Sequence, residues 1–417
     1  GIPEEEVTRR TIMRYYKRKN PMLVREMVRN VYKECKGVAK GNCLTKEQRL
    51  SLQMDEFMNR RYEFRYNTQI GEVEYRERFS FQFYFHPIDK RAQNSIMLDA
   101  QSEGIGVWDR DIDRYLHSNR VPIYNPLEEF LFHLPHWDGK DRIHALANRV
   151  PCNNPHWELL FHRWFLNMVS HWRGVDKMHA NSTSPILVGV QGTHKSTFCR
   201  EMIPPALRAY YTDSIDFSQK RDAELYLNRF ALINIDEFDQ ITLTQQGFLK
   251  HILQKPVVNL RKPHGRSVLE LQRYASFIGT SNQKDLLTDP SGSRRFICIE
   301  VTGNIDTTQP IDYEQLYAQA MHEIYHGERY WFDSEDEQIM TENNREFEQT
   351  PAMLQLFYQY FKAAQTKEEG EFLTPVEILN YLKKKSGISL SDNKVYHFGR
   401  LLQKCGITSK HTYKGTV

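Results

Sequence analysis

Residues 186–197 read ILVGVQGTHKST: an apolar, strand-forming run stops at a glycine-punctuated loop, and that loop delivers Lys195 and Ser196 to the start of a helix. This is the anatomy of a phosphate-binding P-loop. Backbone N–H groups and the positive end of the helix dipole hold the anion, the lysine reaches the β/γ-phosphates, and the serine hydroxyl ligates Mg²⁺. In the pattern G-x-x-x-x-G-K-[ST], Gly189, Lys195 and Ser196 fit, but His194 stands where the second glycine is expected. A glycine there lets the backbone approach a phosphate without a Cβ, so His194 must adopt the same conformation or bend the loop. An ordinary strand, turn and helix capped by a serine is the alternative that this segment alone leaves open.

A second segment narrows the choice. Phe230 to Asp239 reads FALINIDEFD, a buried-type strand with two acids at its carboxyl end, where open parallel sheets place their ligands. Asp236 is expected to hold Mg²⁺ through water and Glu237 to polarise the attacking water. Tyr274 to Asn282 (YASFIGTSN) is a third strand ending in polar residues. Asn282 there is either a water-orienting or γ-phosphate-sensing group or simply a turn-forming residue. Gly292 to Phe296 (GSRRF) then places Arg294 and Arg295 before a further strand, FICIEV, a pairing suited to charge on a transferring phosphoryl group.

In this order, these segments resemble the virulence-associated protein E family of phage and mobile-element proteins, which look like superfamily 3 helicases within the AAA+ class. Tyr124 to Arg142 (YNPLEEFLFHLPHWDGKDR) strengthens the resemblance through its Pro, Leu and Trp-Asp-Gly-Lys-x-Arg pattern, and EQLYAQAMHEIYHGERYWF extends it beyond the core. It covers roughly 125–347, and His194 is its clearest departure. The resemblance implies ATP and Mg²⁺ as cofactors, with Gly189, Gln191, Gly192, Thr193, His194, Lys195, Ser196 and Thr197 around the nucleotide. It also implies a ring of identical subunits, a hexamer, in which Arg294 and Arg295 face a neighbour's nucleotide. Between the Asp-Glu and Asn282 strands, VVNLRKPHGRSVLELQR reads as a hairpin with a basic tip. By the same resemblance, Lys262 and His264, with Arg261 or Arg266, touch the phosphates of single-stranded DNA; an exposed basic turn is the plain alternative.

Composition excludes little but agrees with this. At 417 residues there is room for two or three domains, and 40% hydrophobic with 26% charged residues is ordinary for a globular chain. No run of 18 apolar residues and no signal peptide is present, so no membrane partner and a cytoplasmic location are expected. Six cysteines without C-x-x-C spacing read as reduced thiols, neither a disulfide framework nor a zinc site.

A net charge of +3 identifies no partner by itself; its distribution says more. Thr8 to Lys40 is a basic, tyrosine-bearing stretch that suits either a DNA-contacting or a solvated amphipathic helix. Asn59 to His86 alternates aromatic and charged residues, a strand period whose aromatics form cross-strand pairs or, less commonly, stack on bases. Near the carboxyl end, Thr374-Pro375-Val376-Glu377 is a capping box opening one helix, Asn393 to Cys405 forms a second, and a basic tail follows. Such a module binds either DNA or protein. The expected fold is therefore α/β: an N-terminal mixed α/β collar (1–120), a connecting segment (121–154), an AAA+ P-loop core with helical extension (155–348) and a C-terminal winged-helix-like module (349–417). The expected activity is ATP-driven translocation on single-stranded DNA, hence unwinding, in replication of a mobile element, with a primase or other replication partner. The opening at Gly1 in polar sequence suggests a piece of a longer protein. Two rivals remain at this stage: a weakly catalytic, nucleotide-gated DNA-binding protein, and an ATPase acting on a protein partner in phage defence or packaging.

Overall fold

The computed structural model describes residues 28–31, 44–81, 83–174, 179–260, 269–287, 290–349, 352–362, 370–386, 395–407, 411–412 and 415–416. The chain divides into two compact units, Gly1–Tyr124 and Asn125–Val417. Among the described residues, no helix is long and apolar enough to cross a membrane. The four described cysteines are free thiols. Most of the basic stretch 8–40 lies outside the described residues.

The first unit is mixed α/β. Helix α1 (Lys46–Arg61) starts where Thr45 and Gln48 form a capping box, each side chain accepting from the other's backbone N–H. Strands β1 (Tyr62–Asn67), β2 (Glu72–Glu77) and β3 (His86–Pro87) follow, then α2 (Lys90–Ser102), α3 (Asp109–Leu116) and β4 (Ile123–Tyr124). The sheet order is β3-β2-β1-β4, with β4 parallel to β1. Phe57 and Met58 of α1, Ile96 of α2, and Ile112 and Leu116 of α3 belong to one apolar core beside this sheet.

The aromatic alternation of Asn59 to His86 is only half used in the sheet. Phe64 stands opposite Tyr75 on neighbouring strands, with ring centroids 6.5 Å apart. Beyond Glu77 the pairing ends after one more bond, from Arg78 N–H to Arg61 O at 2.9 Å, because Glu77 pairs with Tyr62 and the chain before Tyr62 is already helix α1. Phe79, Phe81, Phe83 and Tyr84 are consequently exposed.

The second unit opens with α4 (Pro126–Phe132), α5 (Arg142–Ala147) and α6 (Trp157–Trp172). Helix α6 is mostly apolar and almost wholly buried, with the polar His162, Asn167, Ser170 and His171 buried among its aromatic and aliphatic residues. It precedes a five-stranded parallel sheet made of β5 (Ser184–Val188), β6 (Tyr211–Thr212), β7 (Leu232–Ile235), β10 (Ser276–Ser281) and β11 (Phe296–Glu300), in the order β11-β5-β10-β7-β6. Strands β5, β7 and β10 are buried along their whole length, which explains their continuous apolar runs. Between them lie α7 (Lys195–Glu201), α8 (Lys220–Arg229), α9 (Leu243–Leu253) and the antiparallel pair β8 (Val257–Leu260) and β9 (Leu269–Gln272). The expected hairpin thus has its two strands; its tip, with Arg261, Lys262, His264 and Arg266, lies outside the described residues.

Two features lock this unit. Helix α10 (Tyr313–Tyr325) clasps the Trp-Asp-Gly segment through two glutamines. Gln315 Oε1 accepts from Asp138 N–H at 2.9 Å, and Gln319 Oε1 accepts from the N–H groups of Arg142 and Ile143 at 2.6 and 3.1 Å. Arg142 in turn grips Asp138 with two guanidinium bonds of 2.6 and 2.8 Å, which holds that carboxyl well below the usual carboxylate range. The second feature is Arg273, fully buried, whose guanidinium donates to the carbonyls of Ile252, Leu253 and Lys255 at the end of α9 and to those of Ala275 and Asn181.

After α11 (Ser334–Asn343), the helices α12 (Ala352–Tyr360), α13 (Pro375–Ser386) and α14 (Val395–Lys404) share a small core around Phe357, Leu382 and Phe398. The Thr374–Glu377 capping box forms as read, with Thr374 N–H donating to Glu377 Oε2 at 2.7 Å. A two-residue ladder, β12 (His411–Thr412) with β13 (Gly415–Thr416), ends the chain.

Candidate functional site

All strands of the parallel sheet point their carboxyl ends the same way, and the loops leaving β5, β7 and β10 converge there. Gly189 closes β5 with its N–H donating to Ser281 O at 3.0 Å. A Cβ on Gly189 would stand 3.0 Å from Val301 O, so the strand exit requires glycine for close approach. Gly192 has φ +88°. Thr193 is buried and bonds back to Val190 O at 2.9 Å, while Gln191 and His194 are exposed and Thr197 is half-buried.

His194 occupies the left-handed region, with φ 65° and ψ 22°, as the N-cap of α7. Among the described residues it shares a positive φ, glycines aside, with Glu237 alone, at φ 53°. Both strained residues flank the same site. A non-glycine residue in this region costs of order 1–2 kcal/mol, so the surrounding loops must over-determine these two turns.

Lys195 is 6% exposed and its ammonium is lodged in the loop. Nζ donates to Gly189 O at 2.7 Å, Val190 O at 2.8 Å and Asn282 Oδ1 at 3.3 Å. Burial pulls the pKa of Lys195 below the ordinary lysine value, opposed in part by the charge of Asp236. Ser196 Oγ donates to Asp236 Oδ1 at 2.9 Å, and the Thr280 hydroxyl donates to the same oxygen. Strand β10 lies between β5 and β7, and this order brings Asn282 to the lysine and Thr280 to the acid. Ser281 Oγ bonds to Asp239 Oδ1 at 2.9 Å, fixing the exit of β10 against the acidic turn.

Beside Asp236 and Glu237 opens a cleft of about 190 Å³ whose other lining includes Asp213, Asp216, Gln240 and Gln245. Glu237 is exposed, and its carboxylate has no hydrogen-bond partner among the described residues. Thr280, Asp239 and Asp213 escaped the sequence reading. Thr280 and Asp239 could have been found there, because each lies two positions from a chosen residue, Asn282 and Glu237 respectively; Asp213 follows a strand of two residues that leaves no apolar run.

The arginines lie elsewhere. Arg294 and Arg295 end a 3₁₀ turn (Pro290–Arg295) that enters β11. Phe296 pairs with Ser184 and Glu300 with Val188, so the pair sits at the amino edge of the sheet, about 13 Å of strand from the loop end. Arg294 donates to Glu337 of α11 at 2.9 Å, and Arg295 is half-buried. The structure therefore groups Lys195, Ser196, Asp236, Glu237 and Asn282 at one end of the sheet, and Arg294 and Arg295 at the other.

The sequence profile of the virulence-associated protein E-like domain matches residues 131–349, the stretch that holds this sheet and its site. The chain belongs to that family. In this virulence-associated protein E-like chain, residues 350–417 match a separate domain of unknown function from B. Theta. No curated protein matches the sequence. Among solved structures, three of the NrS-1 C-terminal region, all apo and two of them an A form, align at 12% identity with TM-scores of 0.46, 0.44 and 0.43. They cover 87%, 86% and 87% of this chain and 96%, 95% and 97% of their own.

Proposed function

We propose that this virulence-associated protein E-like chain hydrolyses ATP with an AAA+ core and uses the energy to move along single-stranded DNA during replication of a phage or mobile genetic element. One observation carries the reading: a buried lysine, a helix-opening hydroxyl bonded to a strand-end aspartate, an exposed glutamate and an amide meet at the carboxyl edge of one parallel sheet. That set answers the needs of phosphoryl transfer, in which little covalent chemistry falls to the protein and positioning with charge stabilisation does the rest.

Lys195, already drawn out of water and held by loop carbonyls, is placed for the β/γ-phosphates. The residues present suit Mg²⁺, since Ser196 and Asp236 form a hydroxyl–carboxylate pair of the kind that holds it; when bound, the ion neutralises phosphate oxygens. Glu237, exposed and without a hydrogen-bond partner among the described residues, is the group placed to take a proton from water. Asn282, bonded to Lys195, couples the state of the phosphate site to β10. His194 supports a working loop over a decayed one, because it takes the left-handed conformation that the missing glycine would supply. The β8–β9 strands support a basic hairpin reaching DNA, and the α13, α14, β12–β13 succession supports a winged-helix-like module.

The test is steady-state ATP hydrolysis with and without oligothymidylate. Wild-type protein is expected to hydrolyse ATP faster with the oligonucleotide, Lys195→Ala to lose nucleotide binding, and Glu237→Gln to bind ATP without turnover. Unchanged hydrolysis in either variant overturns the assignment.

A further inference from the structure

The first unit holds a concavity that the ATPase reading does not use. It lies between α1 and α3, has a volume of about 710 Å³, and its lining includes Lys46, Trp108, Arg110, Arg114 and Arg120. Trp108 is the N-cap of α3, where most helices carry a small polar residue, and it is 61% exposed. Its backbone N–H is taken by Asp111, so the indole contributes nothing to the cap and is left to the solvent. The two arginines that follow it on α3 are less neutralised than their sequence suggests. Arg110 and Arg114 reach the same oxygen of Asp111 at only 4.0 and 3.6 Å, and their side chains are 77% and 78% exposed. Arg120 is tied to Asp55 and Ser51, and Glu47 is the other acid of the lining, so the cations exceed the acids at this mouth.

An exposed indole beside two loosely held guanidinium groups is matched by a ligand that is planar and anionic at once. A base stacks on the indole, and the neighbouring phosphates meet the arginines. Trp and Arg also recur at protein interfaces, so a protein occupant is the outcome to which unchanged oligonucleotide affinity would point. We infer that the α1–α3 concavity is a second contact for single-stranded nucleic acid, with Trp108 as its stacking platform and Arg110 and Arg114 as its phosphate contacts. This rests on the reading of the chain as a DNA-translocating protein and adds to it a site far in sequence from the β8–β9 hairpin.

The experiment measures binding of fluorescent oligothymidylate to the full chain by anisotropy, without nucleotide, at several salt concentrations. Loss of one stacked base corresponds to about 5- to 150-fold, so Trp108→Ala should weaken binding within that range and Trp108→Tyr should restore most of it. Arg110→Ala/Arg114→Ala should lower the salt slope by about 1.4, two phosphates at roughly 0.7 each for a single strand. ATP hydrolysis without DNA should stay at the wild-type level in all three variants. Unchanged affinity and slope, or a wild-type chain that hydrolyses ATP yet binds no oligonucleotide, overturns the second contact and leaves the ATPase assignment standing. Absence of ATP hydrolysis by the wild-type protein, with or without oligonucleotide, would instead strike the parent reading.

Discussion

His194 is the residue where sequence and structure argue most directly. It replaces a glycine of the P-loop pattern, and it adopts the φ of 65° that a glycine would take freely. His194→Gly removes a steric cost of about 1–2 kcal/mol but adds about 0.5–1 kcal/mol of chain entropy to the unfolded state, so a net gain of about 0.5 kcal/mol is expected. Nucleotide affinity should be kept or improved. His194→Val, with a β-branched side chain that resists the left-handed region, should lose more than about 1 kcal/mol and weaken nucleotide binding. Urea unfolding and ATP titration of both variants check this, and loss of ATPase in His194→Gly would give the imidazole a positive role at the phosphates. Lys195 supplies a pH prediction. Its pKa is lowered chiefly by burial, so the folded state disfavours the charged ammonium relative to the unfolded chain. That cost is present below the folded pKa and is relieved as pH rises from there toward the ordinary 10.5, whereas the phosphates need the charge. Nucleotide affinity should therefore fall with rising pH in a window that opens below 10.5, and Lys195→Arg, whose charge persists, should not share that decline.

At the scale of elements, Arg273 carries the clearest energetic consequence. Its guanidinium is fully buried and, among the described residues, meets five carbonyls and no carboxylate, three of the carbonyls at the end of α9. Arg273→Met leaves those acceptors unmet, and a loss of at least about 3 kcal/mol is expected by urea unfolding. Arg273→Lys should recover only part, because one ammonium with three donors cannot span the set. Nothing in the sequence marks this arginine: it follows β9 as one more basic residue, and only the folded chain reveals the carbonyl cage. The sheet strands are a contrast. LINI before Asp236 and FIGTS before Asn282 were legible because a strand buried on both faces must be apolar throughout, and the acids and amide had to follow at its carboxyl end. β6 was not legible, since two residues hold no period. The aromatic run after β2 misled for a related reason: alternation predicts a strand, but a strand also needs a neighbour, and α1 occupies the chain that would have supplied it. The Trp-Asp-Gly-Lys-x-Arg segment could be recognised, yet its role as a loop clasped by Gln315 and Gln319 depends on residues more than 170 positions away.

For the whole molecule, the two ends of the parallel sheet pose the decisive question. Lys195 and the acids occupy the carboxyl edge, whereas Arg294 and Arg295 stand at the amino edge, about 13 Å of strand away, and the guanidinium of Arg294 is engaged by Glu337. Within one subunit these arginines cannot reach their own phosphate loop without dismantling β11. If they take part in hydrolysis they do so at a neighbour's nucleotide, which requires a ring, expected to be a hexamer, in which the Arg294–Glu337 pair opens. That pair is exposed, so its rupture costs at most about 1 kcal/mol, while an arginine delivered in trans to a phosphoryl-transfer transition state is worth roughly 10³ to 10⁵ in turnover. The exchange favours engagement in the ring by a wide margin. Arg294→Ala/Arg295→Ala and Lys195→Ala should each be nearly inactive alone, and mixing them should restore part of the activity, because a mixed interface pairs an intact lysine with intact arginines. Glu337→Ala, which frees Arg294, should leave ring ATPase within about twofold of wild type. Mixed rings demonstrated by mass but without rescue, or full turnover by a verified monomer, would place both arginines outside the chemistry and leave Arg294 as a clamp of the β11 entry against α11.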